Sequence, residues 1–125
     1  MIGDIYLDKL QKLKEIINQS NSIVFFGGAG VSTESNIPDF RSQDGIYNTK
    51  YEYPPEIILS HSFFNKHLKE FYKFYRDKMI YLDALPNDAH YALAKLETSG
   101  KLKAIITQNI DNLHQMAGSK NVLEL

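Results

Sequence analysis

The sequence contains no cysteine, which excludes a disulfide framework and any metal site built on thiolates. Arginine is scarce, with only Arg41 and Arg76, and 14 Lys and Arg residues against 15 Asp and Glu residues leave a formal charge of -1. Because phosphate backbones bind clustered positive charge, we expect no nucleic-acid partner. Long hydrophobic runs are also missing, and residues 1–20 mix lysines with acidic residues. We therefore expect neither a signal peptide nor a membrane segment, and a cytoplasmic location.

What the sequence does contain is enough apolar material for one folded domain. Of its 125 residues, 43% are hydrophobic and 23% are charged, a balance that is typical of a single globular unit. A chain of this length buries roughly two thirds of the surface that its unfolded form exposes, so a core can form without crosslinks.

Hydrophobic periodicity predicts helices that alternate with short strands. Apolar residues at helical spacing predict helices over 4–18, 62–79 and 87–99, and short apolar runs predict strands over 23–26, 104–107 and 122–125. The run at 23–26 is apolar throughout, which is typical of a strand buried on both faces of a parallel sheet. The aromatic stripe of the 62–79 helix is interpreted as core packing.

The order of these elements predicts an α/β fold. Two of the strands lead directly into glycine-rich or polar turns, as strands of a parallel sheet do. The connection between 23–26 and 104–107 is far longer than the dozen or so residues of a minimal crossover. We therefore expect an inserted helical module. Within it, the segment 33–55 has little periodicity, and irregular segments of that length are usually functional loops.

The turn after the first strand has the composition of a phosphate-binding loop. Gly28, Ala29 and Gly30 leave backbone amides unobstructed at the start of a helix, which is what a pyrophosphate needs. The usual dinucleotide fingerprint has a third glycine where Thr33 stands, and no strand ending in Asp or Glu follows about twenty residues later. An ordinary dehydrogenase is therefore disfavoured. A glycine-rich turn without a ligand stays open as the alternative.

Two further segments bring charged and amide side chains together. Asp39, Phe40 and Arg41 are consecutive, and the guanidinium is suited either to a phosphate or to closing the loop on Asp39. Residues 108–112 follow a strand and carry amides and a carboxylate, at the position where open α/β sheets bind ligands. Amides match ribose hydroxyls, and a carboxylate accepts a hydrogen bond from a carboxamide nitrogen such as that of nicotinamide. A helix cap after the strand is the alternative.

Taken together, these motifs resemble the N-terminal part of the sirtuins, a family of NAD-dependent protein lysine deacylases. The resemblance covers nearly the whole chain and rests on the segments 28–32, 37–41, 86–90 and 107–114. It implies an incomplete Rossmann-like parallel sheet within one catalytic domain. Residues 1–34 and 100–125 would form the Rossmann-like portion, and 35–99 the cofactor loop and the helical module.

The resemblance implies NAD as the cofactor and assigns its contacts. The implied cofactor-binding residues are Gly28, Ala29, Gly30, Thr33, Asp39, Phe40, Arg41, Gln108, Asn109, Ile110 and Asp111. Among them, Asn109 and Asp111 are the implied catalytic residues, with Asp111 holding the nicotinamide carboxamide. In the family reaction, the carbonyl oxygen of acyl-lysine attacks the ribose carbon and nicotinamide leaves. Phe40 is suited to shielding that carbon from water.

The resemblance also implies an acyl-lysine protein or peptide as the substrate. Family members that prefer acidic acyl groups carry Tyr-x-x-Arg on the helix that matches 70–79. Here Tyr72 and Tyr75 occupy the pattern, and Arg76 is out of phase by about 100°. We therefore predict a neutral acyl group such as acetyl, with Tyr72 and Tyr75 in the acyl pocket. Packing of both tyrosines in the core stays open.

Some parts of the family domain have no counterpart in these residues. In the family, the general-base histidine follows the strand that matches 121–125, and four zinc-binding cysteines belong to a separate module. We therefore expect no metal site here and a poor deacylase, or none, from the chain as given. An open sheet edge predicts self-association. Two alternatives remain: a noncatalytic NAD-binding or interaction module, and a protein ADP-ribosyltransferase, which shares the nicotinamide leaving group.

Overall fold

The computed structural model describes residues 1–48 and 50–125. The strands are β1 (Ile23–Gly27), β2 (Leu102–Thr107) and β3 (Val122–Glu124), and the α-helices are α1 (Ile2–Gln19), α2 (Pro55–Ile58), α3 (His61–Lys66), α4 (Leu68–Lys78), α5 (Asp88–Thr98) and α6 (Leu113–Met116). Two 3-10 helices, Ala29–Ser35 and Ile46–Asn48, lie between β1 and α2. The predicted strands are all present, with bounds that differ by one or two residues.

The sheet is parallel and has the order β1-β2-β3. Phe25 pairs with Ile105, and Ile106 pairs with Leu123. The predicted α/β class with an incomplete parallel sheet is therefore confirmed. Since β1 and β3 are the outer strands, each leaves one edge unpaired among the described residues. The self-association expected from such an edge stays a prediction.

The residues that the structure describes cover only one face of the sheet. The ring of Phe25 contacts His114 of α6, and α5 packs against β2 and α6 on that face. On the other face, Val24 is 57% exposed and Phe26 is 61% exposed. The prediction that β1 is buried on both faces was wrong for this chain, because its all-apolar sequence meets a helical layer on one side only.

The helix predicted over 62–79 is two helices, α3 and α4. They are separated at His67, whose backbone leaves the helical region with φ -134 and ψ 53. The His67 ring stacks on Phe63 at 4.7 Å between centroids. The break redirects the chain so that Phe63 and Phe74 enter the same core. Apolar spacing continues through the break, which is why the sequence pattern predicted one helix.

The helical module has its own core, apart from the sheet. Its buried residues are Ile46, Ile58, Phe63 and Phe74, with Phe40, Tyr51, Tyr53, Leu59, Phe71 and Met79 packed around them. The aromatic stripe is thus mainly core, as interpreted from the sequence. The long segment before α2 takes part in this core through Ile46 and Phe40, which fixes the loop beside the carboxyl ends of the strands.

Helix α5 packs on the sheet, although it falls within the segment 35–99 that was assigned to the cofactor loop and the helical module. It packs against β2 and α6, because the helix of a parallel crossover must cover the sheet. Its N-cap is Asn87, whose side chain accepts a hydrogen bond from the Ala89 amide at 2.9 Å. The Asn87 side-chain amide also donates to the carbonyl of Val31 at 2.8 Å and to Ser35 Oγ at 3.0 Å. This contact joins α5 to the turn after β1.

Helix α1 is attached at its C-terminal end. None of its side chains is buried, but the ammonium of Lys101 donates to the carbonyls of Ile17, Asn18 and Ser20 at 3.1, 2.9 and 2.8 Å. Carbonyls at the C-terminal end of a helix carry the negative end of its dipole, so a lysine ammonium stabilises them. Across residues 1–48 and 50–125, no helix combines the length and the apolar character needed to cross a bilayer.

Candidate functional site

A cavity of about 540 Å³ opens where β1 and β2 end, and pockets of this size commonly hold small molecules. Its wall is formed by the turn after β1, the loop around Phe40, the end of α4 with the following loop, and the segment after β2. The lining residues used below are Ala29, Ser32, Phe40, Ile46, Tyr75, Lys78, Met79, Gln108, Asn109, Ile110 and Asp111. Ser32, Gln108, Asn109 and Asp111 follow β1 and β2, whereas Tyr75 and Lys78 belong to α4.

Asp111 is held in place by two hydrogen bonds. Ser32 Oγ donates to its Oδ2 at 2.6 Å, and the backbone amide of Leu113 donates to its Oδ1 at 3.0 Å. A carboxylate accepts about four hydrogen bonds, so each oxygen keeps capacity for a further donor. The carboxylate is therefore fixed in the cavity wall and still able to bind a ligand's N–H group.

Asn109 is oriented by its side-chain amide nitrogen. That nitrogen donates to the carbonyl of Gly28 at 3.0 Å and to Ser32 Oγ at 3.3 Å, while the Asn109 backbone amide donates to Thr107 Oγ1 at 3.0 Å. Its Oδ1 has no hydrogen-bond partner among the described residues. An acceptor that is fixed in this way suits a donor such as a sugar hydroxyl.

Ser32 is the residue that ties the two strand ends together, and the sequence analysis did not include it in the site. It is 1% exposed and contacts both Asn109 and Asp111. Ala29 and Ser32 are three residues apart in a 3-10 helix, and side chains at that spacing lie on the same side. The position of Ser32 within the glycine-rich motif was the available signal.

The loop around Phe40 is closed by backbone hydrogen bonds. The amide of Ile46 donates to the Asp39 carbonyl at 2.7 Å, and the amide of Tyr47 donates to the Phe40 carbonyl at 2.8 Å. A Cβ at Gly45 would come within 2.8 Å of the Asp39 carbonyl oxygen, so only glycine fits this closure. Phe40 thereby lies on the cavity wall, with its ring 5.5 Å from that of Tyr47.

The structure brings six of the predicted cofactor-binding residues together around the cavity: Ala29, Phe40, Gln108, Asn109, Ile110 and Asp111. Five others do not line it: Gly28, Gly30, Thr33, Asp39 and Arg41. Among those five, the glycines flank the lining residue Ala29, so their backbone stays near the cavity. The roles implied for all eleven residues stay predictions.

The side chains of Thr33, Asp39 and Arg41 make contacts within their own segments. Thr33 donates to the Gly30 carbonyl at 3.1 Å, and the Asp39 carboxylate accepts from the Ser42 amide at 3.0 Å. The guanidinium carbon of Arg41 lies 5.6 Å from the centre of the Tyr47 ring. No ion pair joins Asp39 to Arg41 within the part of the chain that the structure describes, so that alternative for closing the loop was wrong.

The two tyrosines predicted for the acyl pocket are separated. Tyr75 lines the cavity, whereas Tyr72 is 47% exposed and lies against the edges of Phe64 and Phe71 outside it. Tyr72 therefore lies outside this cavity, and its role in an acyl pocket stays a prediction. Residues three apart on a helix are neighbours, but only Tyr75 is on the side of α4 that faces the cavity.

Beneath Asp111 lie two buried histidines in contact. His90 is 0% and His114 is 1% exposed, with ring centroids 4.9 Å apart. His90 Nδ1 accepts from the Asn87 amide at 3.1 Å, so the ring takes part in capping α5. Both ring nitrogens of His114, and Nε2 of His90, lack partners among the described residues. His114 caps none of the described helices and is not at the surface, because it lies in the core.

Desolvation sets the protonation of this histidine pair. Burial lowers the pKa of His90 below its ordinary 6.5, and the neighbouring His114 lowers it further. Burial likewise lowers the pKa of His114. The carboxylate of Asp111 raises the pKa of each ring, but not enough to reverse the shift. Both rings are therefore neutral at pH 7.

Comparison with known proteins gives the same result by sequence and by structure. A family model described as Sir2 family matches residues 28–125. The NAD-dependent protein deacetylase of Clostridium acetobutylicum is 67% identical over 123 residues, which cover 97% of this chain and 50% of that relative. The resemblance stated from the motifs is thus confirmed.

Solved structures of Sir2 enzymes match closely as well. One holds a deacetylated peptide and 3'-O-acetyl ADP-ribose, with a TM-score of 0.84 at 47% identity over 93% of this chain and 46% of that chain. Another holds a peptide and NAD⁺, with a TM-score of 0.78 at 44% identity over 93% of this chain and 45% of that one. The chain spans about half the length of the curated relatives it matches. Because the family model matches well over half of its residues, the chain belongs to the Sir2 family.

Proposed function

We propose that the protein containing this chain is an NAD-dependent protein lysine deacylase, acting on acetyl-lysine, and that this chain supplies the nicotinamide side of its active site. The observation that carries the proposal is the Asp111 carboxylate, fixed by Ser32 and by the Leu113 amide in the wall of a cavity at the strand ends. The deacetylase name of the Clostridium relative and the acetyl ADP-ribose held by a Sir2 enzyme support the reaction type.

The residues present fit one half of a dinucleotide. Asp111 keeps acceptor capacity for a carboxamide N–H, and Asn109 Oδ1 is available for a ribose hydroxyl. Gly30 has no atom within 4 Å of the position that a Cβ would take, which leaves the backbone open to a pyrophosphate. The lining also includes apolar residues such as Phe40 and Ile110, on which a flat pyridine ring packs.

When bound, NAD⁺ would supply a ribose carbon that accepts the acyl oxygen as nicotinamide leaves. The residues of this chain bind the cofactor and orient it. Asp111 fixes the nicotinamide carboxamide, and Asn109 holds the ribose on the side of the strand ends. Phe40, anchored by the hydrogen bond from the Tyr47 amide, excludes water from the ribose carbon, which prevents simple hydrolysis of the glycosidic bond.

The test is nicotinamide release by the complete protein in which this sequence occurs, with NAD⁺ and an acetyl-lysine peptide. Deacylation predicts release that depends on the acetyl group, together with acetyl ADP-ribose as a product. Peptide that carries ADP-ribose would instead identify a transferase. Binding of NAD⁺ without any release would identify a noncatalytic module. Either of the last two outcomes overturns the proposal.

Gly30→Ala gives a specific prediction for the cofactor contact. The fold has room for the added methyl group, so the thermal stability should stay unchanged or rise slightly. The methyl group would occupy the space needed by the pyrophosphate, so the Kd for NAD⁺ should rise about tenfold or more, equivalent to about 1.4 kcal/mol. Isothermal titration calorimetry measures the change. Gly3→Ala is the matched control, since Gly3 also has an open Cβ position but lies in α1.

A further inference from the structure

The cavity wall contains one side chain whose charge the cofactor assignment does not use. Lys78, in the last turn of α4, lines the cavity together with Tyr75 and Met79. These three residues have the i, i+3 and i+4 spacing of one helix face. Among the lining residues, Lys78 is the only cationic one and Asp111 the only acidic one.

Lys78 has no ion-pair or hydrogen-bond partner among residues 1–48 and 50–125. Asp111 is already engaged by Ser32 and Leu113, and the carboxylate of Asp77, next to Lys78 on α4, accepts from Tyr51. A partly buried ammonium without a counter-ion is unfavourable, and it favours a ligand that brings a carboxylate. The cavity is therefore electrostatically complementary to an anionic group at the α4 side.

Lys78 and the backbone expected to contact the cofactor phosphates belong to different elements of the fold. The backbone open to a pyrophosphate is at Gly30, in the turn after β1, whereas Lys78 belongs to the inserted helical module. The apolar side chains of Met79 and Ile46 also line the cavity, and Met79 packs against the core cluster that includes Ile46. A short methylene chain that ends in a carboxylate has the matching distribution of apolar and charged groups.

We propose that Lys78 is a specificity-determining residue that lets this site accept acyl groups with a terminal carboxylate, of the succinyl type, in addition to acetyl. The ammonium pairs with the acyl carboxylate, and the hydroxyl of Tyr75 is the second donor on the same helix face. This inference rests on the proposed deacylase function and changes the acyl class predicted from the sequence. That prediction rested on Arg76, which does not line the cavity, whereas Lys78 does.

The experiment compares acetyl-lysine and succinyl-lysine peptides of one sequence, using the complete protein and saturating NAD⁺. We expect both peptides to be deacylated. Lys78→Met should lower kcat/KM for the succinyl peptide at least tenfold, change that for the acetyl peptide less than twofold, and leave the KM for NAD⁺ unchanged. Lys78→Arg should retain most of the succinyl activity. Lys73→Met is the matched control, because Lys73 lies on α4 but is exposed outside the cavity.

The outcomes separate this inference from the function on which it rests. If the acetyl peptide reacts and the succinyl peptide does not, the inference is overturned and the deacylase function stands. A Lys78→Met enzyme that loses both activities equally, or that gains a higher KM for NAD⁺, also overturns it, because the ammonium would then serve the cofactor or the fold. If neither peptide consumes NAD⁺, the proposed function itself fails.

Discussion

Replacing Asp111 by Asn is expected to weaken the binding of NAD⁺ and of free nicotinamide by about 1–3 kcal/mol, or roughly 5- to 150-fold in Kd. The carboxylate offers charge-assisted acceptors, which form stronger hydrogen bonds than neutral amides. An amide NH₂ in place of one carboxylate oxygen also cannot accept a hydrogen bond from the ligand's carboxamide. Calorimetric titration with each ligand measures the loss.

The Asp111→Asn substitution should change ligand binding without changing the fold. The Oδ1 of an asparagine still accepts from the Leu113 amide, and the Ser32 hydroxyl can reverse its direction, so helix α6 should keep its start. Asp8→Asn, on the exposed face of α1, is the control for a lost negative charge. Wild-type affinity in Asp111→Asn, with an unchanged melting temperature, would remove the role assigned to Asp111.

The second large effect is a loss of stability in mild acid, caused by the buried His90 and His114 pair. In the unfolded chain both rings have a pKa near 6.5, whereas burial lowers the pKa of each in the folded protein. Below pH 6.5 the unfolded state therefore binds protons that the folded state does not. The free energy of unfolding should be at its full value above pH 6.5 and fall as the pH drops towards the lowered pKa values.

The slope has an upper limit of about 1.4 kcal/mol per pH unit for each ring, or about 2.7 kcal/mol per pH unit for both. Denaturant melts of the complete protein between pH 7.5 and pH 5 measure it. The dependence should level off below the folded pKa values, where both states are protonated. Denaturation by protonated carboxylates would instead appear at lower pH, near their ordinary pKa.

His114→Phe tests the contribution of one ring. Phenylalanine keeps an aromatic ring against Phe25 and His90 and removes two buried nitrogens that lack partners. We expect stability at pH 7.5 to be retained or increased, and the pH slope to fall by about half. His61→Phe is the control, since His61 is exposed. An unchanged slope in His114→Phe would show that the acid sensitivity has another origin.

Much of the site was predictable because its parts are local in sequence. The segment 108–112 follows a strand whose apolar run is unmistakable, and the side that holds a ligand follows from the direction of parallel strands. The capping of α5 by Asn87 and the left-handed conformation of Gly100, with φ 78, were equally readable from residue type.

Other parts of the site were not predictable from local patterns. Ser32 and Asp111 are 79 positions apart and meet only because β1 and β2 pair in register. Tyr72 and Tyr75 look alike in the sequence, and only the packing of α4 decides which of them reaches the cavity. Its direction depends in turn on the break at His67.

The sequence by itself determined the strands, the turns that follow them and the family, because these follow from backbone preferences and side-chain types within a few neighbouring residues. Only the tertiary structure decided which side chains share the cavity, that His90 and His114 are buried in contact, and that Lys78 contributes the cation of the wall. The physical reason is that such contacts depend on how whole elements pack. A rotation of one helix by a single residue changes the face it presents, and local spacing does not encode that rotation.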